Sequence, residues 1–317
     1  MTDAKPVKAA VIGVGYLGKF HAEKYATLPN SELVGVADAN AEQCQEIADK
    51  WQCQAFTNYA ELLDKVDAVS IAAPTTLHHK ITMECLERGI HVLVEKPITV
   101  TTQEAEELVN AARAHGCILQ VGHLERFNAA LLDLDKVLTT PKFIETHRLA
   151  PYKPRATDVD VILDLMIHDI DLILDTVHSD VVDVAISGTS VLSNSTDIAN
   201  ARLTFANGCV ANVTASRISL KTERKMRIFQ TDAYISIDFQ NRIFSYHRKG
   251  EGEMFPGVPN IESKETVYED GDALKAEIAS FIHCIQTNSA PLVSGEDGLR
   301  ALQTATRIRE TLAQQIN

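Results

Sequence analysis

Little in this sequence points to cross-linking. Its six cysteines, at positions 44, 53, 85, 117, 209 and 284, include no Cys-x-x-Cys pair and no partner at zinc-finger spacing. Neither a disulfide framework nor a structural metal is therefore expected, and the thiols read as reduced. Positive charge is also scarce. Against 43 acidic residues stand 30 basic ones, for a net charge of -13, which repels a phosphate backbone unless a local basic stripe overcomes it. The densest basic cluster, Arg224, Lys225 and Arg227, reads as a solvated strand edge, so nucleic acid is not an expected partner. No run approaches the ~18 apolar residues of a membrane span. Met1 to Lys8 also lacks the apolar core of a signal peptide. A cytoplasmic protein with no membrane partner fits these absences. Internal repeats and low-complexity tracts are missing as well.

What is present is an ordinary globular composition, 45% hydrophobic and 23% charged over 317 residues, long enough for about two domains with full cores. Val7 to Ile12 is an apolar run that breaks into Gly13-Val14-Gly15-Tyr16-Leu17-Gly18 and then takes on helical character from Lys19 to Leu28. The alternation repeats: Leu33 to Ala37 with Glu42 to Trp51, Val66 to Ala73 with His79 to Arg88, and His91 to Val94 with Thr102 to His115. Ile118 to Val121 closes the series. Continuous apolar strands between helices predict an α/β fold, a doubly wound parallel sheet covered on both faces.

Beyond about residue 140 the period changes to two, in Phe143 to Leu149, Val181 to Val191, Ala199 to Phe205, Cys209 to Ile218, Lys225 to Asp238 and Ile243 to Arg248. Such runs predict a mostly antiparallel sheet. A helix is expected at Val161 to His178, a loop at Phe255 to Glu262, and closing helices near Leu274 to Thr287 and Gly298 to Gln315. The expected division is a dinucleotide-binding domain over 1–123 and a substrate-binding and oligomerisation domain over 124–317, whose last helices can pack back on the first.

The glycine loop follows a predicted strand and opens a helix, the context that a pyrophosphate-binding turn requires. Gly13 permits the turn, Gly15 lets phosphates approach the backbone, and Gly18 lets the helix sit close on the strand. Tyr16 and Leu17 belong to the same loop, and the helix N-terminus offers free N–H groups. Asp38, at the end of the next strand, is placed to accept hydrogen bonds from ribose hydroxyls and to repel a 2′-phosphate. With no Arg after it, NAD is expected over NADP.

Ligands of open parallel sheets sit beyond the carboxyl ends of strands. Three segments qualify: Ala72-Ala73-Pro74-Thr75 with His78 a turn later, Glu95-Lys96-Pro97, and Gly122-His123. Lys96, between an apolar strand and a proline, is a positioned ammonium able to hydrogen-bond a substrate hydroxyl. The alternative is a surface lysine paired with Glu95. On the helix from Val161, Asp164, His168, Asp171 and Asp175 fall on one face, with Asp169 outside the pattern. Asp164 and His168, at i and i+4, can orient and charge an imidazole that takes up a proton, unless the polar stripe simply faces water.

Together, Gly13 to Gly18, Glu95-Lys96-Pro97 and the Asp164/His168 pair resemble the glucose-fructose oxidoreductase, inositol dehydrogenase and rhizopine-catabolism (Gfo/Idh/MocA) family along the whole chain. The resemblance implies a Rossmann domain followed by an α/β domain whose open sheet often forms homodimer or homotetramer interfaces. It also implies a catalytic set of Lys96, Asp164 and His168. Ala73, Pro74, Thr75 and His78 would lie on the nicotinamide side, with Glu95 and Lys96 also at the cofactor. The segments 122–128 and 164–171 resemble the subgroup that acts on the nucleotide sugar UDP-N-acetylglucosamine, although 157–161 replaces the glycine-rich stretch of many relatives. For such a substrate Arg126, Asn128, Tyr152, Lys153, Arg155 and Asp171 are candidate contacts, while Arg126 and Arg155 could equally pair with acids. The implied activity is NAD-dependent oxidation of a sugar hydroxyl. Free sugars, inositols or other polyols are an alternative substrate class, and a non-catalytic NAD- or sugar-sensing regulator is the alternative of another kind.

Overall fold

The computed structural model describes residues 5–152, 159–269 and 271–316. The chain divides into two units, Met1–Phe127 with Asp272–Leu299, and Asn128–Gly271 with Arg300–Asn317.

The first unit is built on β1 (Val7–Ile12), α1 (Gly18–Thr27), β2 (Ser31–Ala37), α2 (Ala41–Trp51), β3 (Gln54–Phe56), β4 (Ala68–Ile71), α3 (His78–Glu87), β5 (His91–Glu95), α4 (Thr102–His115) and β6 (Leu119–Gly122). The six strands are all parallel, in the order β3-β2-β1-β4-β5-β6. That order reverses between β1 and β4, which opens a crevice at their carboxyl ends. β4 is buried along its whole length and β1 at every position but Lys8, as a sheet covered on both faces requires. β3 joins this sheet although its three residues carry no period that a sequence pattern can register.

Helix ends in this unit are written locally. Asn40 caps α2 by accepting from the Gln43 N–H at 3.2 Å. Thr101 and Glu104 form a reciprocal capping box on α4. The unit's core is closed by a late segment, α6 (Ala273–Thr287), whose Ile278, Phe281 and Ile282 pack with Val7, Ala9, Val11, Ala22 and Tyr25.

The second unit holds β7 (Phe143–Leu149), α5 (Ile167–Val177), β8 (Val181–Thr189), β9 (Ile198–Phe205), β10 (Val210–Ser216), β11 (Glu223–Phe229), β12 (Ala233–Asp238), β13 (Ile243–Phe255) and β14 (Val258–Val267). The eight strands run β14-β13-β12-β11-β7-β10-β9-β8, antiparallel except for the parallel pair β7/β10. Strand burial alternates, as in β9, and the buried side chains pack with Ile167, Ile170 and Ile173 of α5. Ala301, Ala305, Ile308 and Leu312 of α7 (Gly295–Ile316) belong to the same cluster. The first turn of α7 falls in the first unit and the helix from Arg300 onward in the second.

Two expectations need correction here. The single strand expected over 225–238 is a hairpin, β11 and β12, and Gln230, whose N–H donates to the Ala233 carbonyl at 3.0 Å, closes its turn. The Gln230 side-chain amide donates to the Val137 carbonyl at 3.0 Å and its side-chain oxygen accepts from the Thr139 N–H at 3.0 Å. The loop expected over 255–262 is a turn leading into β14, and Pro259 is tolerated there because β14 is an edge strand. Among the described residues no helix is long and apolar enough to cross a membrane.

Candidate active site

In the first unit the glycine loop has the geometry its spacing requires. Gly13 has φ +88, and a Cβ there would lie 2.7 Å from the Ala73 nitrogen. Gly18 sits so close beneath the loop that a Cβ would come within 1.8 Å of the Gly13 carbonyl oxygen. At Gly15 a Cβ would meet nothing within 4 Å, so bare backbone faces open space where a phosphate group can approach. That cradle fits a dinucleotide.

Asp38 closes the cradle. Its Oδ2 accepts from the Val14 N–H and its Oδ1 from the Asn40 N–H, each at 2.8 Å. Two ionised oxygens offer about four acceptor sites, so lone pairs remain for ribose hydroxyls. The cleft alongside has a volume of about 630 Å³, and Gly13, Gly15, Asp38, Ala73 and Pro74 are among the residues that line it. Sequence reasoning missed Gln43, Thr57, Tyr59 and Lys80 in the same lining. The rule that ligands gather past strand ends would have found Thr57 had β3 been legible. The Gln43 amide donates to the Val14 carbonyl at 3.1 Å, and the Tyr59 hydroxyl donates to Glu84 at 2.8 Å. Burial and the Glu84 carboxylate push that hydroxyl up to about 12.

Tyr16, Leu17, Gly18, Thr75, His78, Glu95 and Lys96 do not line this cleft. Tyr16 and Leu17 are exposed. His78 is 1% exposed, and its ring nitrogens lie 2.9 Å from the carbonyl oxygens of Pro97 and Ala73. Both ring nitrogens are therefore engaged by backbone, tying the segment after β4 to the segment after β5. Burial holds the imidazole below its ordinary value despite those two carbonyls.

Lys96 follows β5, is half-buried, and is joined to Pro97 by a cis peptide bond. Glu95 beside it lies 2.9 Å from Nε2 of the fully buried His21, whose Nδ1 is 3.1 Å from the Ser70 hydroxyl. Gly122 makes room for this carboxylate, since a Cβ there would sit 2.9 Å from Glu95 Oε2. Burial alone would raise the Glu95 carboxyl, but the His21 hydrogen bond and the charges of His21 and Lys96 hold it below the usual range. His123 is 1% exposed. Arg126 is also buried, with Nη2 3.9 Å from Asp297.

In the second unit the regular helix expected over 161–178 is interrupted. Ile162–Met166 is a π-helical turn, with the Ile167 N–H donating to the Ile162 carbonyl, and α5 follows. Asp160 caps the turn by accepting from the N–H groups of Ile162 and Leu163 at 3.0 and 3.1 Å. Asp164 and His168 flank the change from π to α geometry, and both are half-buried. Single π turns of this kind recur at functional sites because they displace side chains from the regular helical face. Asp169, outside the expected stripe, is 1% exposed and makes a two-pronged pair with Arg148 of β7, at 3.0 and 2.9 Å. Asp171 is buried and Tyr152 is 37% exposed. Asn128 donates to the Phe239 carbonyl at 3.1 Å and accepts from the Ala130 N–H at 3.0 Å. Lys153, Arg155, Thr157 and Asp158 lie outside the described residues.

Lys96 thus belongs to the first unit and Asp164 and His168 to the second. Residues 7–123 match the oxidoreductase family with an NAD-binding Rossmann fold, and residues 141–236 match the GFO/IDH/MocA C-terminal domain. The UDP-N-acetylglucosamine 3-dehydrogenase of Acidithiobacillus ferrooxidans is 40% identical over 304 residues, 96% of each chain. Its solved structure superposes with a TM-score of 0.91, covering 96% of this chain and 97% of that one. The scyllo-inositol 2-dehydrogenase (NAD(+)) of Bacillus subtilis is 25% identical, over 92% of this chain and 90% of that protein. A levoglucosan dehydrogenase solved with NADH shares the fold, with a TM-score of 0.88 at 18% identity and 98% of each chain covered. With a cradle for a dinucleotide in one unit, a large and mostly antiparallel sheet in the other, and a relative this similar along its length, the chain belongs to the Gfo/Idh/MocA oxidoreductases.

Proposed function

We propose that this enzyme oxidises a secondary ring hydroxyl of a nucleotide sugar, the 3-hydroxyl of UDP-N-acetylglucosamine, with NAD as the acceptor. The observation that carries this reading is the 40% identity with a UDP-N-acetylglucosamine 3-dehydrogenase along 96% of both chains. The dinucleotide, when bound, supplies a nicotinamide ring that accepts the hydride. The substrate's carbon gives up its hydrogen with the bonding electrons, and the hydroxyl proton passes to His168. Asp164 orients the imidazole and stabilises its protonated form. Lys96 holds the hydroxyl in place. Arg126, Asn128, Tyr152, Arg155 and Asp171 remain the candidate contacts to the sugar nucleotide. NAD is preferred to NADP because the Asp38 carboxylate repels a 2′-phosphate, with Lys80 the one cation lining the cleft among its described residues.

Replacing Lys96 by Ala is expected to lower turnover about a thousandfold while leaving NAD affinity within a few-fold. Turnover equal to that of the unaltered enzyme removes Lys96 from the mechanism. NADH formation against a panel of UDP-sugars and free polyols separates the substrate classes. Free inositols or sugars form the second reading, favoured by the inositol dehydrogenase among the relatives, and activity on polyols alone would establish it. A non-catalytic sensor is disfavoured because Lys96, Asp164 and His168 are all retained.

A further inference from the structure

The first unit encloses an ionisable cluster that the proposed reaction does not use. His21 of α1, Glu95 at the end of β5 and Glu277 of α6 each bring one ligand-type atom within 4.8 Å of the others. His21 and Glu277 are both 0% exposed. The His21 ring is engaged by Ser70 and Glu95, whereas among the described residues neither Glu277 oxygen has a hydrogen-bond partner. An ionised carboxylate there would be an anion with no donor to satisfy it, lying beside a second anion.

The groups that face Glu277 supply little compensation. α1 presents His21 and Tyr25, the Tyr25 hydroxyl being 2.8 Å from Ser70 of β4. β5 presents Glu95. β6 presents Gln120, whose amide donates to the Glu277 backbone carbonyl at 3.3 Å. β1, which packs against α6, adds the apolar Ala9 and Val11 to the surrounding core. The short helical segment Leu124–Phe127, which packs against α6, carries Glu125 and Arg126, and Arg126 is near Asp297.

We propose that Glu277 is held as a neutral acid that shares its proton with the Glu95 carboxylate, and that Glu277 and His21 are positioning residues for Glu95 and the adjoining Lys96. Two buried carboxyl groups with oxygens within 4.8 Å of each other are stable with one proton between them. The assignment is consistent with burial, first, and the Glu95 charge, second, raising the Glu277 carboxyl well above its ordinary 4.5. With Glu277 as donor on one side and His21 on the other, the Glu95 carboxylate is fixed from both sides, and with it the start of Glu95-Lys96-Pro97. The catalytic part of this inference rests on the reading of Lys96 given above.

A folded-state value above the unfolded one means that the native protein binds the extra proton. Stability present below about pH 4.5 is then lost as pH rises towards the folded value. Denaturant unfolding of the full-length protein from pH 5 to pH 8 therefore tests the proton. Relative to Glu277→Gln, the unaltered protein should lose up to about tenfold in its folding constant per pH unit. Parallel curves, or a relative loss in the variant as pH rises, overturn the proposal. So does a metal ion found at one per chain by mass spectrometry whose removal by chelator lowers the melting temperature of the unaltered protein but not of the variant.

The positioning role has its own readout. Glu277→Leu, which cannot donate, should lower kcat about tenfold with KM for NAD nearly unchanged, whereas Glu277→Gln, which can donate, should recover most of that loss. Equal kcat values for Leu and the unaltered enzyme, where Lys96→Ala is inactive, overturn the positioning role. If Lys96→Ala is itself active, the proposed reaction fails, and the unfolding experiment still decides the proton.

Discussion

Asp38 has two tasks. It pins the glycine loop through the Val14 N–H and opens the following turn through the Asn40 N–H, yet it remains part of the cleft wall. Substituting Ala would confuse the two, because the loop would lose its anchor. Asn keeps an acceptor oxygen and removes the charge. Asp38→Asn is therefore expected to reduce the preference for NAD over NADP about tenfold, the scale of one charge–charge contact in a partly solvated site. The ratio of kcat/KM for the two cofactors measures it, and an unchanged ratio would show that the charge does not select. Gly13, Gly15, Gly18 and Asp38 could be picked out in the sequence because a glycine loop after one apolar strand and an acid at the end of the next form a linear pattern. Lys80, Thr57 and Tyr59 were not, because they reach the cleft through the order of the strands. His78 was expected on the nicotinamide side, and its ring nitrogens lie 2.9 Å from the Ala73 and Pro97 carbonyl oxygens.

Among the elements, the two sheets were legible from period alone, while their interruptions were not. β3 is too short to show a pattern, and the β11/β12 turn at Thr231-Asp232 carries no glycine or proline to mark it. The π turn at Ile162–Met166 cannot be seen in the spacing of apolar residues, because Val, Ile, Leu and Met satisfy either winding. Asp169 stood out as the residue that broke the expected stripe, and the structure supplies its reason in Arg148 on the neighbouring strand β7. Both side chains of this pair are nearly inaccessible, at 2% and 4% exposure. Removing one partner leaves the other charge uncompensated in the interior, so Asp169→Ala is expected to destabilise the second unit by about 3–5 kcal/mol. Chemical denaturation gives the value, and a loss below about 1 kcal/mol would mean that solvent reaches Arg148.

At the scale of the whole molecule, the family and an α/β fold with one parallel and one mostly antiparallel sheet were legible in the sequence. Local glycine and lysine motifs lie in one unit, and the acid–imidazole pair lies in the other. The closing helices were expected to be able to pack back on the first domain. The first unit does not end where the parallel sheet ends; it resumes at Asp272 with α6 and continues to Leu299.

This sharing has a consequence for synthesis. The ribosome delivers β1 and α1 first, yet the side chains that seal Val7, Ala9, Val11 and Tyr25 are Ile278, Phe281 and Ile282, which emerge only after every strand of the other unit. For most of translation the nascent nucleotide fold carries an open apolar seam and an unplugged polar pocket. A fragment ending at Phe127 should therefore bind a hydrophobic dye and unfold without a cooperative transition, and a sharp two-state melt from it would contradict this order of assembly. The last segment of the first unit is thus a late keystone for that unit.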